Sequence, residues 1–370
     1  MKIPEDLIRL VTVRRAWLIR TTHIVGYLAV ALLGVAAVVS GLDWYLGKYA
    51  FVPTRVMNCL MTLSAKTTVL RPTCDGAIFH PDFGRVPYRT NTLGMRDQNY
   101  DETVYQPGGP RKRVLVVGDS FTFGVGVGAD ETYHSILERR HPEFVFLNAG
   151  YPTLGIEEEA EVIDHFLART NPNLVLVGVE ANDLIQLPVD TQGSGDARKR
   201  LKVLAPVAQF LADYVLPQRV ILAARGVLSS EWTRVYRTQL DPALEERYSR
   251  FVDAVAKIDE SLEHHDPPVP LGVLLIPQVE QVNGFLEGRA GLSPLAPSDH
   301  LKARLSKEGI PVLDSIPFFE TRRASDLFFP RDRHLTKHGH EVLADFVEQN
   351  LGTLVALMTN SGENLTASAR

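Results

Sequence analysis

Arg113-Val-Leu-Val-Val-Gly-Asp-Ser-Phe-Thr-Phe-Gly124 decides how the rest of the chain is read. Val114 to Val117 form a short unbroken apolar run, the pattern of a buried strand. The run stops at Gly118-Asp119-Ser120, and the segment after it, through Tyr133 to Leu137, has helical spacing. A serine on a strand-to-helix turn stands where open α/β sheets place their chemistry. The helix amino terminus behind it offers free N–H groups and a favourable dipole to a developing oxyanion. Thr122 occupies the place of the second glycine of a Gly-x-Ser-x-Gly elbow, and no Gly-Lys-Ser/Thr follows to make a phosphate loop. Gly124, Gly126 and Gly128 imitate a dinucleotide fingerprint but lie too far past the strand, so they read as turn glycines. Alone, Gly-Asp-Ser is equally explained by a serine capping a helix.

Outward from this stretch the order is repeatedly strand then helix. Further strands are expected at 144–148, 173–179, 270–276 and 310–314, each a short apolar run without alternation. Such runs imply strands covered on both faces, hence a parallel sheet. Helices are expected at Ile156 to Ala168, Pro242 to Leu262 and Lys337 to Val355. The second has Asp241 as cap, Pro242 at its first position and a stripe through Leu244, Tyr248, Phe251, Val255, Ile258 and Leu262. The fold class is α/β: a doubly wound, flavodoxin-like parallel five-stranded sheet flanked by helices, preceded by an N-terminal transmembrane helix.

The chain divides on the same reading. Residues 1–23 are a cytoplasmic segment and 24–42 a transmembrane signal anchor. Residues 43–110 are an extracytoplasmic juxtamembrane region without strong periodicity, and 111–355 the α/β domain. Residues 356–370 are a disordered tail. A helical insertion at about 186–240, with a polar loop over 188–200 and two helices divided at Pro217, is a lid, a packed cap or a membrane-leaning element. Ile24 to Leu42 carries no charge and is long enough for a bilayer, which takes about 20 residues. Lys2, Arg9, Arg14, Arg15 and Arg20 precede it against Glu5 and Asp6, which keeps the amino terminus cytoplasmic. The competing readings are a cleaved signal peptide, disfavoured by the long charged leader, and a buried core helix. Cys59 and Cys74, the two cysteines, lie beyond the span and are expected as a disulfide; two buried thiols are the alternative. A net charge of -5 and the lack of a Lys/Arg-rich run with interleaved aromatics exclude a nucleic-acid binder. No internal repeat is visible.

A serine nucleophile needs a base, an orienting acid and oxyanion donors. Candidates stand after the second and third strands, at Asn148-Ala-Gly-Tyr-Pro-Thr-Leu-Gly155 and Glu180-Ala-Asn-Asp183, and at the opening of the last helix, at Arg331-Asp-Arg-His334. With these four blocks in order across roughly 110–355, the chain resembles the SGNH (GDSL-type) hydrolases. Thr90-Asn-Thr-Leu-Gly-Met-Arg-Asp97 resembles the lead-in of membrane-anchored bacterial members. The resemblance implies Ser120 as nucleophile, His334 as base and Asp332 as its orienting acid. It implies oxyanion donors at the Ser120 N–H, a second-block N–H and the Asn182 side chain. The usual second-block glycine falls at Thr153, with Gly155 two residues on; a backbone N–H serves from either. The Asp–His spacing is two rather than the commoner three.

Other readings exist for each piece. Asn182-Asp183 makes an ordinary turn. His334, His338 and His340 could form a metal cluster, but the spacing fits zinc motifs poorly. His338 is expected in solvent and His340 packed or capping. Asp332 between two arginines could be a surface ion pair. No metal and no cofactor is expected. The resemblance implies a membrane-anchored extracytoplasmic serine esterase, in the inner membrane with a periplasmic or extracellular catalytic domain, acting on acyl esters. An O-acetyl group on a glycan is the substrate class that family and location suggest. Alternatives are an O-acyltransferase using the same acyl-enzyme in cell-envelope modification, or a non-catalytic binding or assembly protein that keeps the fold.

Overall fold

The computed structural model describes residues 21–41, 59–80, 82–152, 154–187 and 233–368. Thr21–Gly41 (α1) is a helix long and apolar enough to cross a membrane, none of it buried against other parts of the protein. It belongs to a unit separate from the one holding the remaining described residues. Most of the insertion, including both expected helices up to residue 232, lies outside the described residues.

The second unit begins with two small antiparallel pairs: Leu60–Thr62 (β1) with Thr68–Leu70 (β2), and Asp75–His80 (β3) with Gly84–Arg89 (β4). Cys59 and Cys74 are joined by a disulfide, Cα to Cα 5.6 Å. Residues 59–80 and 82–110, which fall within the expected juxtamembrane region, belong to the same compact unit as the sheet. Tyr88 and Ile78 of the hairpin are buried with Phe123 and Val125, which follow Ser120.

Lys112–Val117 (β5) leads to the single turn Ser120–Phe123 (α2), then Tyr133–Arg140 (α3), Phe144–Asn148 (β6), Ile156–Thr170 (α4) and Leu174–Val179 (β7). Asp183–Gln186 (α5) and Pro242–Glu263 (α6) precede Leu271–Leu275 (β8). Val279–Val282 (α7), Ala296–Leu305 (α8), Val312–Asp314 (β9), Ile316–Glu320 (α9), Ala324–Leu327 (α10), Lys337–Gln349 (α11) and Leu351–Ser368 (α12) complete the unit. The five sheet strands are parallel in the order β6-β5-β7-β8-β9. This is the flavodoxin-like order expected above.

Alternation along β5 explains its unbroken apolar run. Leu115 and Val117 pack with α4, α6 and α8 on one face, while Val114 and Val116 pack with α3, α11 and α12 on the other. Every position is therefore core, and each such side chain stabilises the fold by roughly 1.5–3 kcal/mol. Asp241 caps α6 by accepting from Leu244 N, and Thr336 caps α11 through Gly339 N, as the sequence signals require.

One boundary needs correction. The tail is helical through Ser368 rather than disordered from 356. Leu354, Val355, Leu357 and Met358 continue an apolar stripe onto the sheet, which packs the first part of this helix against the domain.

The topology leaves one crevice. The chain runs outward from β5 to β6 and then crosses to β7, so β5 and β7 flank the point where the winding reverses. Ser120 follows β5 and Asn182 follows β7, placing both at its carboxyl edge.

Candidate active site

Ser120 is the first residue of α2, with Asp119 as its cap: Asp119 Oδ1 accepts from Phe121 N at 2.8 Å. A single turn has little stability of its own, and this one is held from outside. Buried Arg96 donates to the carbonyls of Phe123, Gly124 and Val127 at 2.8, 2.6 and 2.5 Å. It also lies over the Phe123 ring at 4.6 Å. Burial lowers its guanidinium to about 10, so at neutral pH it remains a cation against the free carbonyls at the end of α2. The second block closes on the same turn from another side. A Cβ on Gly150 would stand 2.5 Å from Phe123 N and 2.7 Å from the Thr122 carbonyl carbon, so only glycine fits.

His334 Nε2 lies 2.7 Å from Ser120 Oγ, and its Nδ1 lies 2.6 Å from Asp332 Oδ1. The imidazole rests on the Phe121 ring, centroids 5.0 Å apart. Asp332 is almost fully buried, so it is not the surface ion pair weighed above. Arg333 explains how a spacing of two suffices. Its φ of 75° is left-handed, which reverses the chain between the two side chains. Arg333 N donates to Phe329 O at 3.0 Å and Phe329 N to His334 O at 2.9 Å, closing the bend. A non-glycine residue in this region costs of order 1–3 kcal/mol and is held only where surrounding contacts determine it.

Asn182 Nδ2 donates to Asp119 Oδ2 at 3.0 Å. Its Oδ1 accepts from Gln278 Nε2 at 2.6 Å, and Gln278 Oε1 accepts from the Tyr236 hydroxyl at 3.2 Å. Because an ionised carboxylate only accepts, the direction of this relay fixes the orientation of both amides. One Asn182 Nδ2 hydrogen is spent on Asp119 and the second remains. Gln278 and Tyr236 were not singled out from the sequence. The available signal was position: Gln278 follows the carboxyl end of β8, the kind of place that gave Ser120 and Asn182.

The cleft here has a volume of about 310 Å³. Beyond the serine, histidine, aspartate and asparagine, it is lined by Phe121, Gln278, Val279, Glu280 and Arg333. Arg333 and Glu280 form an ion pair in its wall. A larger cavity of about 590 Å³, lined by Arg111, Glu138 and Arg139 among others, shares no residue with it.

In the second block, Gly155 N donates to the Glu158 carboxylate at 3.2 Å, at the start of α4. The N–H groups of Asn148, Ala149, Gly150, Tyr151 and Leu154 are also spent, on Asp97, Val116, Asn148, Gly118 and Tyr151. Thr153, the other candidate, lies outside the described residues. The Ser120 N–H has no partner among the described residues.

Two more histidines lie buried near the serine. His134 meets Thr122 O through Nε2 at 2.8 Å, and burial pushes it down to about 3. His340 stacks on Tyr133 and accepts from Tyr133 N at 3.3 Å; burial, then His134 and Arg96, hold it well below the ordinary value. Both are therefore neutral packing groups. His338 is exposed and pairs with Glu341 at 3.2 Å. Among the described residues, the three histidines of the last block do not form a group of potential ligands.

Among the described residues, one group could hold a cation: Asp119, Glu180 and Asp183, with carboxylate oxygens within 4.8 Å of one another. These are hard oxygen donors. Asp119, however, already serves Phe121 N and Asn182, and Asp183 serves Glu180 N at 2.8 Å. Burial, then Asp119 and Asp183, push Glu180 well above the usual carboxylate range. Burial, then Asp183 and Asp119, do the same to Glu159. Glu180 and Asp183, both pushed up by burial and by the neighbouring Asp119, are read as carboxyl groups kept protonated rather than as part of a metal centre. A carboxyl whose folded value is raised contributes stability below its unfolded value and loses it as pH rises through the folded one. Glu180→Gln removes that titration, so its melting temperature relative to wild type is expected to climb between pH 5 and 8. Parallel melting profiles across that range would show that Glu180 is ionised in the folded protein as it is in the unfolded chain, and would overturn this reading.

No protein-family model matches the chain, and no curated relative matches it either. Among solved structures, a member of the lipolytic protein G-D-S-L family from Veillonella parvula is 13% identical with a TM-score of 0.39, covering 64% of this chain and 97% of that one. TesA is 15% identical with a TM-score of 0.40, covering 66% and 99%. The psychrotrophic esterase EstA from Pseudoalteromonas sp. is 10% identical with a TM-score of 0.40, covering 66% and 99%.

Proposed function

We propose that the protein is a serine esterase acting through Ser120, His334 and Asp332. The observation that carries this is the hydrogen-bonded series from Ser120 Oγ to His334 Nε2 at 2.7 Å and from His334 Nδ1 to Asp332 Oδ1 at 2.6 Å, opening on a cleft. Ser120 Oγ attacks the ester carbonyl carbon while His334 Nε2 takes its proton. The tetrahedral oxyanion receives hydrogen bonds from the Ser120 N–H, the second Asn182 Nδ2 hydrogen and a backbone N–H of the second block. His334 returns the proton to the leaving alkoxide as the C–O bond breaks. Water then repeats the sequence on the acyl-enzyme, releasing the acid and restoring Ser120. Asp332 holds the tautomer with hydrogen on Nδ1 and stabilises the imidazolium that forms in each half.

The cleft is small, with Phe121 and Val279 beside Gln278, Glu280 and Arg333, which suits a short acyl group on a polar alcohol such as a glycan hydroxyl. A fluorophosphonate added to the purified protein is expected to leave one phosphonyl group, located on Ser120 by peptide mass. A folded protein that acquires no adduct would support the binding-protein reading instead.

We also propose that α1 anchors the chain with its amino terminus in the cytoplasm and the α/β domain outside. The leader charges and the disulfide both favour this orientation. Alkaline phosphatase fused after residue 110 is expected to be active. An inactive, stably expressed fusion would reverse the topology.

A further inference from the structure

Asp82 lies in the turn between β3 and β4, in a part of the chain that resembles nothing catalytic by sequence. Its side chain is almost fully buried. A single oxygen, Oδ2, accepts from Arg331 N at 2.7 Å and from Asp332 N at 2.9 Å. The second donor is the backbone of the very residue whose side chain holds His334. The turn is itself fixed: Asp82 N donates to His80 Nδ1 at 3.2 Å, and His80 is buried. Phe83 packs on Phe329 with ring centroids 5.1 Å apart, at the residue that hydrogen-bonds to both Arg333 and His334. Cys74, one residue before β3, ties the base of the hairpin to Cys59.

The loop at 329–334 needs such a grip. Arg333 holds a left-handed conformation, and the bend around it is closed by only two backbone hydrogen bonds of its own. A charged acceptor for two adjacent N–H groups is stronger than a neutral one and fixes direction as well as distance. Small errors here are magnified in rate, because a misplacement of about 1 Å in a reacting group can cost roughly 10²-fold.

We propose that Asp82 is a positioning residue for the Asp332–His334 pair, which makes the β3–β4 hairpin part of the active site rather than a spacer. This rests on the esterase reading, with Asp82 acting through Asp332 and touching no substrate. The test compares wild type, Asp82→Asn and Asp82→Leu as full chains in detergent micelles. Ester turnover on p-nitrophenyl acetate is normalised to sites titrated by fluorophosphonate. The far-downfield proton spectrum reports the His334 Nδ1–H shared with Asp332, assigned by its loss in His334→Ala. Asp82→Leu is expected to lower kcat per titrated site about 10–100-fold with KM unchanged and to broaden or remove the downfield proton. Asp82→Asn keeps an acceptor oxygen for both N–H groups and is expected to recover most of each.

A leucine variant with wild-type kcat per titrated site and an intact downfield proton would overturn the proposal. So would a loss confined to the fraction of titratable sites, which marks a role in folding alone. A wild type that neither labels nor turns over ester would instead remove the esterase reading, while the downfield proton would still answer whether Asp82 orders the pair.

Discussion

Ser120→Ala is expected to lower ester turnover on the order of 10⁴–10⁶-fold while the protein stays folded. The size of the loss follows from the chemistry. Without Oγ no acyl-enzyme forms, and only water attacking directly in the presence of the oxyanion donors remains. The small effect on folding follows from the contacts. Ser120 Oγ meets His334 at 2.7 Å and Asp119 at 3.4 Å, whereas the turn is held by Arg96, by the Asp119 cap and by the fit against Gly150. None of these needs the hydroxyl. Kinetics on p-nitrophenyl acetate with a melting curve check both halves. A variant retaining more than about a tenth of wild-type turnover would move the nucleophile elsewhere, because removing a true nucleophile never costs so little.

Legibility in the sequence tracked the kind of force holding each part. The five sheet strands were visible because burial on both faces writes a contiguous apolar run, as in Val114–Val117 and Leu174–Val179. The helices were visible because caps and stripes are local, as with Asp241 and Pro242. Ser120 and Asn182 could be named as candidates because strand ends concentrate chemistry in this topology, and Asp332 and His334 because their block opens the last helix in the order that the resemblance implies. The hairpin at 75–89 left no such trace. Burial alternates along both strands, but Gly76 and His80 sit among the inward positions and Ala77 and Phe79 among the outward ones, so residue type hides it. The hairpin also depends on partners far along the chain, such as Phe123 and Phe329. Arg96 and Gln278 escaped for a related reason. Each acts through a neighbour distant in sequence, 27 residues on for Arg96 to Phe123 O and 96 back for Gln278 to Asn182. Thr153 and Gly155 could not be told apart as donors from the sequence, because a backbone N–H carries no mark of whether a nearby side chain such as Glu158 takes it.

Asp332→Asn is expected to lower kcat by about 10⁴-fold with little change in KM. In the wild type a single oxygen, Asp332 Oδ1, faces both His334 Nδ1 at 2.6 Å and His334 N at 3.4 Å. A carboxylate can only accept there, so Nδ1 must carry the hydrogen and Nε2 is left with a lone pair aimed at Ser120 Oγ. An asparagine can turn its NH₂ toward the ring. Nδ1 then accepts, the hydrogen moves to Nε2, and the atom facing Ser120 can no longer take its proton. The substituted amide also carries no charge to offset the imidazolium formed during acylation. Arg333 and its two closing hydrogen bonds to Phe329 do not involve the changed atoms, so the bend itself is expected to persist. Steady-state kinetics and the rate of fluorophosphonate labelling, measured on the same preparation, distinguish the outcomes. A fall of 10⁴ in both assigns tautomer control to Asp332. A fall of less than tenfold would leave Asp332 as a loop brace, with the base function of His334 set by another group.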